Sequence, residues 1–245
     1  YELLNRRLPD SLLPGRDKFF DFLRSQGLLI RKHREYRPIT TVSWHHFHKY
    51  PNLWRGRIPD GPNQVWVSDI TYIRIEDGTF LYLSLITDVY SHKIVGWFLS
   101  ESLSMEGPLN ALRMALEELP ECHQLIHHSD RGVQYCSNAY VELLQKNGIQ
   151  VSMIENGDPR ENAVAERVNG ILKEEWFNRE VICSLEKGRE RTGEIIRIYN
   201  EMRPHMSNDY LTPQQAHQQN GTLRRRWKTY YKKKEDLCEQ INEVM

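Results

Sequence analysis

The sequence predicts an α/β fold in which helices flank a mixed five-stranded sheet. Between residues 65 and 98, three short apolar segments are separated by turn residues, which is typical of an antiparallel meander. Further along the chain, short apolar segments alternate with stretches of helical periodicity, as in parallel crossover units. The 245 residues are 39% hydrophobic, which is enough for one sizeable core with smaller appended parts.

The predicted elements follow the order βββαβαβα. The meander strands are separated at residues 76–78 (EDG), which predict a turn. One stripe of the helix predicted at 105–119 holds the apolar residues Leu109, Leu112, Ala115 and Leu116. The last helix is the one that follows the fifth strand. The other predicted bounds are strands at 65–73, 80–86, 93–98, 124–128 and 150–153 and helices at 105–119 and 138–146.

Charge and turn residues divide the chain into three predicted regions. Residues 59–63 (PDGPN) are a concentrated turn signal and mark the first boundary. Residues 1–57 are predicted to be a small basic helical DNA-binding region, with a helix at 16–24 that stops near Gly27. Residues 58–218 are predicted to form the catalytic core, and residues 219–245 a basic C-terminal tail.

The net charge of zero conceals an uneven distribution. Residues 1–57 carry twelve Lys and Arg against five Asp and Glu, and residues 219–245 carry seven against four. The centre therefore has ten more acidic than basic side chains. An acidic centre between basic flanks suits a metal-binding core that contacts DNA partly through its arms. Solvated surface charge without any partner is the alternative.

Several classes of protein are disfavoured. No apolar run approaches the roughly 18 residues of a membrane span, and residues 1–5 do not open a signal peptide. The four cysteines are far apart, without a Cys-x-x-Cys pair, so neither a zinc knuckle nor a disulfide framework is indicated. We expect a cytoplasmic protein with no membrane partner.

Three acidic residues occupy informative positions in the predicted scheme. Asp69 lies inside the first strand, where an unpaired charge costs several kcal/mol unless a cation or a strong hydrogen-bonding partner compensates it. Asp130 follows the fourth strand, and ligands bind outside the carboxyl ends of such strands. Glu166 lies on the helix after the fifth strand. These carboxylates are the candidate metal ligands.

The helix that carries Glu166 is predicted to be amphipathic. At 100° per residue, one face holds Asn162, Glu166, Asn169 and Lys173. The opposite face is apolar and is expected to pack on the sheet, which would leave the polar face presented. A carboxylate that can bind a metal ion, next to a lysine that can bind a phosphate, is an arrangement that suits a nuclease. Taken without the two aspartates, a solvated polar face would be the preferred interpretation.

The acidic motifs together resemble a known family. Residues 66–72 (WVSDITY), 128–135 (HSDRGVQY) and 161–166 (ENAVAE), with 35 residues between the second and third acids, resemble the DDE core of retroviral-integrase-like insertion-sequence transposases. The most similar group is the bacterial one whose transposase is made by frameshifting between two overlapping frames, of which this chain would be the second-frame product. Residues 199–205 (YNEMRPH) and 211–213 (LTP) are similar to the closing motif of the family.

The resemblance implies an RNase H-like fold and a DNA transposase. Asp69, Asp130 and Glu166 would be the catalytic residues and would hold two Mg²⁺ ions, with Mn²⁺ as a substitute. The enzyme would cleave transposon ends and transfer the 3′-hydroxyl into target DNA. The implied partners are double-stranded DNA, further copies of the chain in a homo-oligomer, and the upstream-frame protein. The implied location is the bacterial cytoplasm.

Further residues are predicted to contact DNA. Lys173, Asn162 and Arg131 are candidates near the scissile bond, and His127 and His128 either assist there or pack. Residues 31–37 contain Arg31, Lys32 and Arg34 and suit either a phosphate backbone or a basic linker. In residues 224–234, Arg224, Arg225 and Arg226 precede aromatic and basic side chains, which suits DNA contact or a solvated tail.

Two other functions remain open at this point. In a non-enzymatic DNA-binding module the acids would be structural, and DNA affinity would depend on salt but not on metal. In a nuclease of the same fold, strands would be hydrolysed but not joined. A strand-transfer assay separates the second from a transposase.

Overall fold

The structure is a computed structural model that describes residues 1–8, 13–29, 44–55, 57–121, 123–155 and 162–226. The predicted DNA contacts Arg31, Lys32 and Arg34 lie outside the described residues, as does the tail beyond residue 226.

The core is built on a mixed sheet of five strands. In chain order these are β1 (Val65–Arg74), β2 (Phe80–Asp88), β3 (Ile94–Ser100), β4 (Ile126–Ser129) and β5 (Gln150–Met153), and their spatial order is β3-β2-β1-β4-β5. The first three strands pair antiparallel, and β4 and β5 extend the sheet in parallel from β1. The predicted mixed five-stranded sheet is therefore confirmed.

Helices account for most of the remaining regular structure. They are α1 (Glu2–Arg7), α2 (Arg16–Ser25), α3 (Glu106–Glu117), α4 (Val133–Cys136), α5 (Asn138–Lys146), α6 (Ala163–Glu175), α7 (Leu185–Glu201) and α8 (Pro213–Ala216). The 3₁₀ turns Phe177–Arg179 and Met206–Asn208 follow α6 and α7. The helix predicted at 138–146 has the bounds of α5, whereas α1, α4, α7 and α8 had not been predicted.

Side chains along each strand point alternately to the two faces of the sheet, and this divides the core into two parts. Trp66, Ile70 and Ile86 pack with α3 and α5 on one face. Leu83 and Leu85, together with Ile73, pack with α6 and α7 on the other. Since residues two apart in a strand point to the same side, Asp69 belongs to the α6 side of β1.

β4 is offset from its prediction. It begins at Ile126 and ends at Ser129, whereas the sequence predicted 124–128. Ile126 is the residue that pairs with Val65, the first residue of β1. The limits of a strand depend on where its partner begins, and local sequence patterns do not contain that information.

The end of α2 follows the sequence prediction. Gly27 has φ +68°, and its N–H donates to the carbonyl of Arg24 at 3.1 Å. The N–H of Leu28 donates to the carbonyl of Leu23 at 2.9 Å, which completes a Schellman motif. The three-region domain division stays a prediction. Within the described part of the chain, no helix is long and apolar enough to cross a membrane.

A glycine sets the distance between α3 and the sheet. A Cβ at Gly96 of β3 would lie 2.2 Å from the carbonyl oxygen of Ala111 and 2.8 Å from the Cβ of Ala115. Both neighbours belong to α3, and one of them is backbone, which cannot rotate away. The close packing of α3 on the sheet therefore depends on the missing side chain.

We expect Gly96→Ala to destabilise the protein by about 1–3 kcal/mol, because α3 must shift away from β3 to admit the methyl group. Thermal unfolding of the purified variant measures the effect. The matched control is Gly170→Ala on α6, where a Cβ would meet nothing within 4 Å. That substitution should raise stability by up to about 1 kcal/mol through helix propensity. Equal unfolding temperatures for Gly96→Ala and the parent protein would contradict the close-packing argument.

Candidate active site

The register of the parallel strands brings the two aspartates side by side. Ser68 of β1 pairs with Ser129 of β4. Asp69 and Asp130 are the residues that follow this pair along the two neighbouring strands. Adjacent strands lie about 4.8 Å apart, and paired positions face the same side of a sheet. Asp130 is fixed by its own loop, since its Oδ1 accepts the N–H of Gly132 at 2.9 Å. The predicted placement of these two acids is confirmed.

Glu166 reaches the same region through α6. It lies in the first turn of that helix, which packs against β1, and its side chain is exposed. The amides beside it are not exposed. Asn162 donates from Nδ2 to the carbonyl oxygen of Ser68 at 3.3 Å, and Asn169 donates from Nδ2 to Oδ2 of Asp69 at 2.7 Å.

This arrangement corrects the predicted orientation of α6. The sequence predicted that the whole polar face would be presented to the outside, yet Asn162 and Asn169 are both buried. The physical reason is that β1 offers polar partners on this side, namely a backbone carbonyl and the Asp69 carboxylate. A polar face can pack on a sheet where the sheet supplies hydrogen-bond partners. DNA contact by Asn162 stays a prediction.

The carboxyl groups of Asp130 and Glu166 are close enough to Asp69 to affect its ionisation. Burial raises the pKa of Asp69 to about 7, with the charge of Asp130 as the next cause and that of Glu166 as a smaller one. Hydrogen bonds from the Ile70 N–H, at 2.9 Å, and from Asn169 act in the opposite direction. These two hydrogen bonds do not offset the effects of burial and of the like charges nearby. The negative charge of the ionised Asp69 carboxylate is therefore only partly stabilised by the protein.

The side chains do not stand at metal-ligand spacing. Within the described part of the chain, no group of three or more His, Cys, Asp and Glu side chains is arranged to hold a metal ion. Oδ1 of Asp69 instead accepts the Ile70 N–H, and Oδ2 accepts the Asn169 amide. The acids therefore share an electrostatic environment without forming a coordination shell.

A buried polar network supports β1 behind the acids. Nε2 of His127 lies 2.6 Å from Oγ of Ser68 and 2.9 Å from the hydroxyl of Tyr140. Burial, with the charge of His128 as a further cause, lowers the pKa of His127 to about 3, so its ring is neutral at physiological pH. The sequence left a packing role and an assisting role open for His127, and the burial of its ring fits packing.

The described basic residues predicted to contact DNA have different environments. Nζ of Lys173 lies 3.4 Å from the centroid of the Tyr72 ring on β1. The guanidinium of Arg131 donates to the carbonyl of Glu155 at 3.0 Å. Arg226 forms an ion pair with Asp209, and the carbonyl of Arg224 accepts the N–H of Asp209 at 3.1 Å. Arg225 is exposed. Contact of these residues with DNA stays a prediction.

Solved structures with a similar fold are retroviral integrases. The HTLV-2 integrase catalytic core domain in complex with magnesium, in a trimeric form, has a TM-score of 0.53 and 18% identity, and the match covers 65% of this chain and 99% of that one. A chain of the simian T-cell lymphotropic virus intasome in complex with PP2A regulatory subunit B56 gamma has a TM-score of 0.58 and 16% identity. This match covers 90% of this chain and 76% of that one. The fold is therefore RNase H-like, as in the cores of these integrases.

Sequence comparison identifies the family. Residues 59–159 match one family model described as "Integrase core domain", and residues 147–213 match a second with the same description. An uncharacterized 31 kDa protein of insertion element IS600 from Shigella sonnei is 34% identical, over 83% of this chain and 75% of that protein. Transposase InsF of insertion sequence IS3fB from Escherichia coli (strain K12) is also 34% identical, over 81% of this chain and 69% of that protein. The chain belongs to the family of insertion-sequence transposases with an integrase core domain.

Proposed function

We propose that this protein is a DNA transposase that cleaves transposon ends and joins the freed 3′-hydroxyl to target DNA. The observation that carries the proposal is the acidic cluster, in which burial and the charges of Asp130 and Glu166 raise the pKa of Asp69 to about 7. The family relationship supports DNA transposition and integration as the activity. A polynucleotidyl transfer accounts for both steps.

The chemistry of the cluster fits a hard divalent cation. Such ions prefer carboxylate oxygens, and a cation would compensate the charge that two hydrogen bonds leave under-compensated at Asp69. Bound Mg²⁺ or Mn²⁺ would activate the attacking water or 3′-hydroxyl and stabilise the leaving oxygen. Asp69, Asp130 and Glu166 would hold the two ions. Asp69 would have to give up its hydrogen bonds from Ile70 and Asn169, and Asp130 its bond from Gly132, to do so.

The surrounding residues orient the acids rather than react. Asn169 holds the Asp69 carboxylate at 2.7 Å, and the Gly132 N–H holds that of Asp130 at 2.9 Å. Lys173, which lies over Tyr72 one helical turn beyond Asn169, is placed to bind a phosphate that approaches the acids. No nucleophilic side chain is needed, because the attacking oxygen comes from water or from DNA.

DNA and further copies of the chain are the proposed partners. The similar solved structures include a trimeric integrase core and an intasome, and relatives are named as transposases. Pairing two transposon ends requires two active sites, which favours a homo-oligomer. The upstream-frame protein and the cytoplasmic location stay predictions.

Glu166→Gln should abolish both end cleavage and strand transfer while leaving DNA binding within about twofold. The substitution keeps the shape of the side chain but removes a metal-binding charge. Loss of an outer-shell partner already costs about 10–100-fold, so loss of a ligand should cost at least ~100-fold. Labelled duplexes that carry the terminal sequences of the element, incubated with Mn²⁺, report both steps on one gel.

The matched control is Glu142→Gln, which makes the same change at an exposed position of α5. It should leave both steps at the level of the parent protein. Strand transfer by Glu166→Gln at the parent rate would refute the assignment. End cleavage without joining in the parent protein would instead favour the nuclease.

Asp69→Asn should stabilise the metal-free protein. The folded pKa of about 7 lies above the ordinary value of 3.8, so the folded state holds a proton that the unfolded state has lost between these pH values. The cost of ionising Asp69 therefore grows from pH ~4 to pH ~7 and is constant above, with an upper limit of about 4 kcal/mol. The unfolding temperature in EDTA, measured at pH 5 and pH 8, should rise more at pH 8. An equal or larger rise at pH 5 would contradict the electrostatic argument.

Asn169→Ala should weaken metal binding by about 10–100-fold without abolishing catalysis, because it removes the amide that orients Asp69. The Mn²⁺ concentration that gives half-maximal cleavage should rise, with cleavage recovering at saturating Mn²⁺. The control is Asn147→Ala, whose amide bonds the Leu143 carbonyl at the end of α5. A lower maximal rate at unchanged Mn²⁺ dependence would argue against a positioning role.

A further inference from the structure

Residues 44–55, here called the edge segment, run along the outer side of β5 towards the acidic cluster. The carbonyl of Pro51 accepts the N–H of Met153 at 3.3 Å, and the N–H of Leu53 donates to Oγ of Ser152 at 2.9 Å. The N–H of Asn52 donates to Oε1 of Glu155 at 3.0 Å. These bonds cover part of β5, which is an edge strand. Protection of that edge is enough to explain why residues 51–53 lie where they do.

The first half of the edge segment is attached beside Asp130. Nε2 of His45 donates to the carbonyl oxygen of Arg131 at 2.9 Å, and Arg131 is the residue that follows Asp130. Lys49 belongs to the same neighbourhood, since its charge, like those of Asp130 and Arg131, acts on the thiol of Cys136. The segment therefore brings the cationic side chain of Lys49 and the imidazole of His45 next to the proposed active site.

Trp44 has no structural explanation of this kind. Its side chain is 97% exposed, more than any other large hydrophobic residue in the described part of the chain. Most large apolar side chains contribute to stability by burial, and a fully exposed indole contributes almost nothing in that way. An exposed aromatic residue beside an active site is more typical of a binding surface.

Trp44 lines a groove together with His45, His46 and Lys49. Its volume is about 390 Å³, within the range of ligand sites. Among the described residues that line the groove there is no carboxylate, although the proposed catalytic centre next to it is acidic. The lining thus combines a ring for stacking, the imidazoles of His45 and His46, and the ammonium group of Lys49.

We propose that this groove binds one unpaired nucleotide of the DNA substrate, with its base stacked on Trp44 and its phosphate near Lys49. Stacking on aromatic side chains beside cations is how proteins hold single-stranded DNA, and it tolerates any base. A paired base in a duplex shows only its edges, so the indole would have no ring face to stack on. The inference rests on the proposed function, because the groove is assigned to the strand that enters the acidic cluster.

Fluorescence of a 2-aminopurine probe tests the stacking directly. The full chain is titrated in low-salt Mg²⁺ buffer against a duplex of arbitrary sequence with a three-nucleotide single-stranded extension that contains 2-aminopurine. A blunt duplex of equal length serves as the second probe, and gels verify that both remain intact. We expect the extended duplex to bind more tightly and its 2-aminopurine emission to be quenched.

Trp44→Ala should weaken binding of the extended duplex about 30-fold, the middle of the range for one stacked base, and abolish quenching. Binding of the blunt duplex should stay within about twofold. Trp44→Phe should restore most of the affinity and the quenching, because it restores a ring face. Val181→Ala is the control, since Val181 is another exposed apolar residue, at 76%, in the loop before α7.

Three results would overturn the proposal: unchanged quenching in Trp44→Ala, an equal loss of affinity for blunt and extended duplexes, or no rescue by Trp44→Phe. Neither measurement requires catalysis, so the outcome is separate from that of the proposed function. If Glu166→Gln still transfers strands while Trp44→Ala loses quenching, the catalytic assignment fails and the groove stands. If Glu166→Gln is inactive and Trp44→Ala binds normally, only the groove fails.

Discussion

The parallel pairing of β1 with β4 is the constraint on which the rest of the site depends. It places Asp69 and Asp130 side by side, each one residue beyond the pair of Ser68 and Ser129 on the two neighbouring strands. A slip of one residue would turn Asp69 to the opposite face, away from α6, because the side-chain period of a strand is two. The register is specified by the core, since the same slip would also turn Trp66 and Ile70 away from α3 and α5, with which they pack, to the side of α6 and α7.

The fold supplies two core aspartates, Asp88 and Asp69, with different numbers of hydrogen-bond donors. Asp88, which is fully buried, accepts hydrogen bonds from the backbone of Asn63 and from both the N–H and the hydroxyl of Ser91, and His217 lies 3.7 Å away. Asp69 has two donors and two neighbouring carboxylates. A carboxylate that is satisfied by its own protein has no need of a cation, whereas Asp69 remains a candidate ligand.

The sequence predicted the sheet, the crossover helix α5 and the positions of the three acids, because these depend on local periodicity and on motif spacing. It could not predict that α6 turns Asn162 and Asn169 inward, since hydrophobic patterning takes no account of the polar partners that β1 offers. No pattern in the sequence predicted the position of the edge segment either. Its hydrogen bonds join residues about one hundred positions apart in the chain. The sequence does not distinguish Trp44 from a core residue, and only the structure shows that its side chain is exposed.

The two basic flanks meet the core at different places, which bears on how the protein contacts DNA. The edge segment reaches Arg131, beside the carboxyl end of β4. The C-terminal residues attach near the start of β1, where the N–H of Gly221 donates to the carbonyl of Asp60 and the hydroxyl of Tyr90 donates to that of Gly221. From Val65 to Asp69 the strand already rises about 13 Å. Under the proposed function, the arginines that follow Gly221 would therefore meet DNA that flanks the reacting bond, and the groove at Trp44 would meet the strand that reacts.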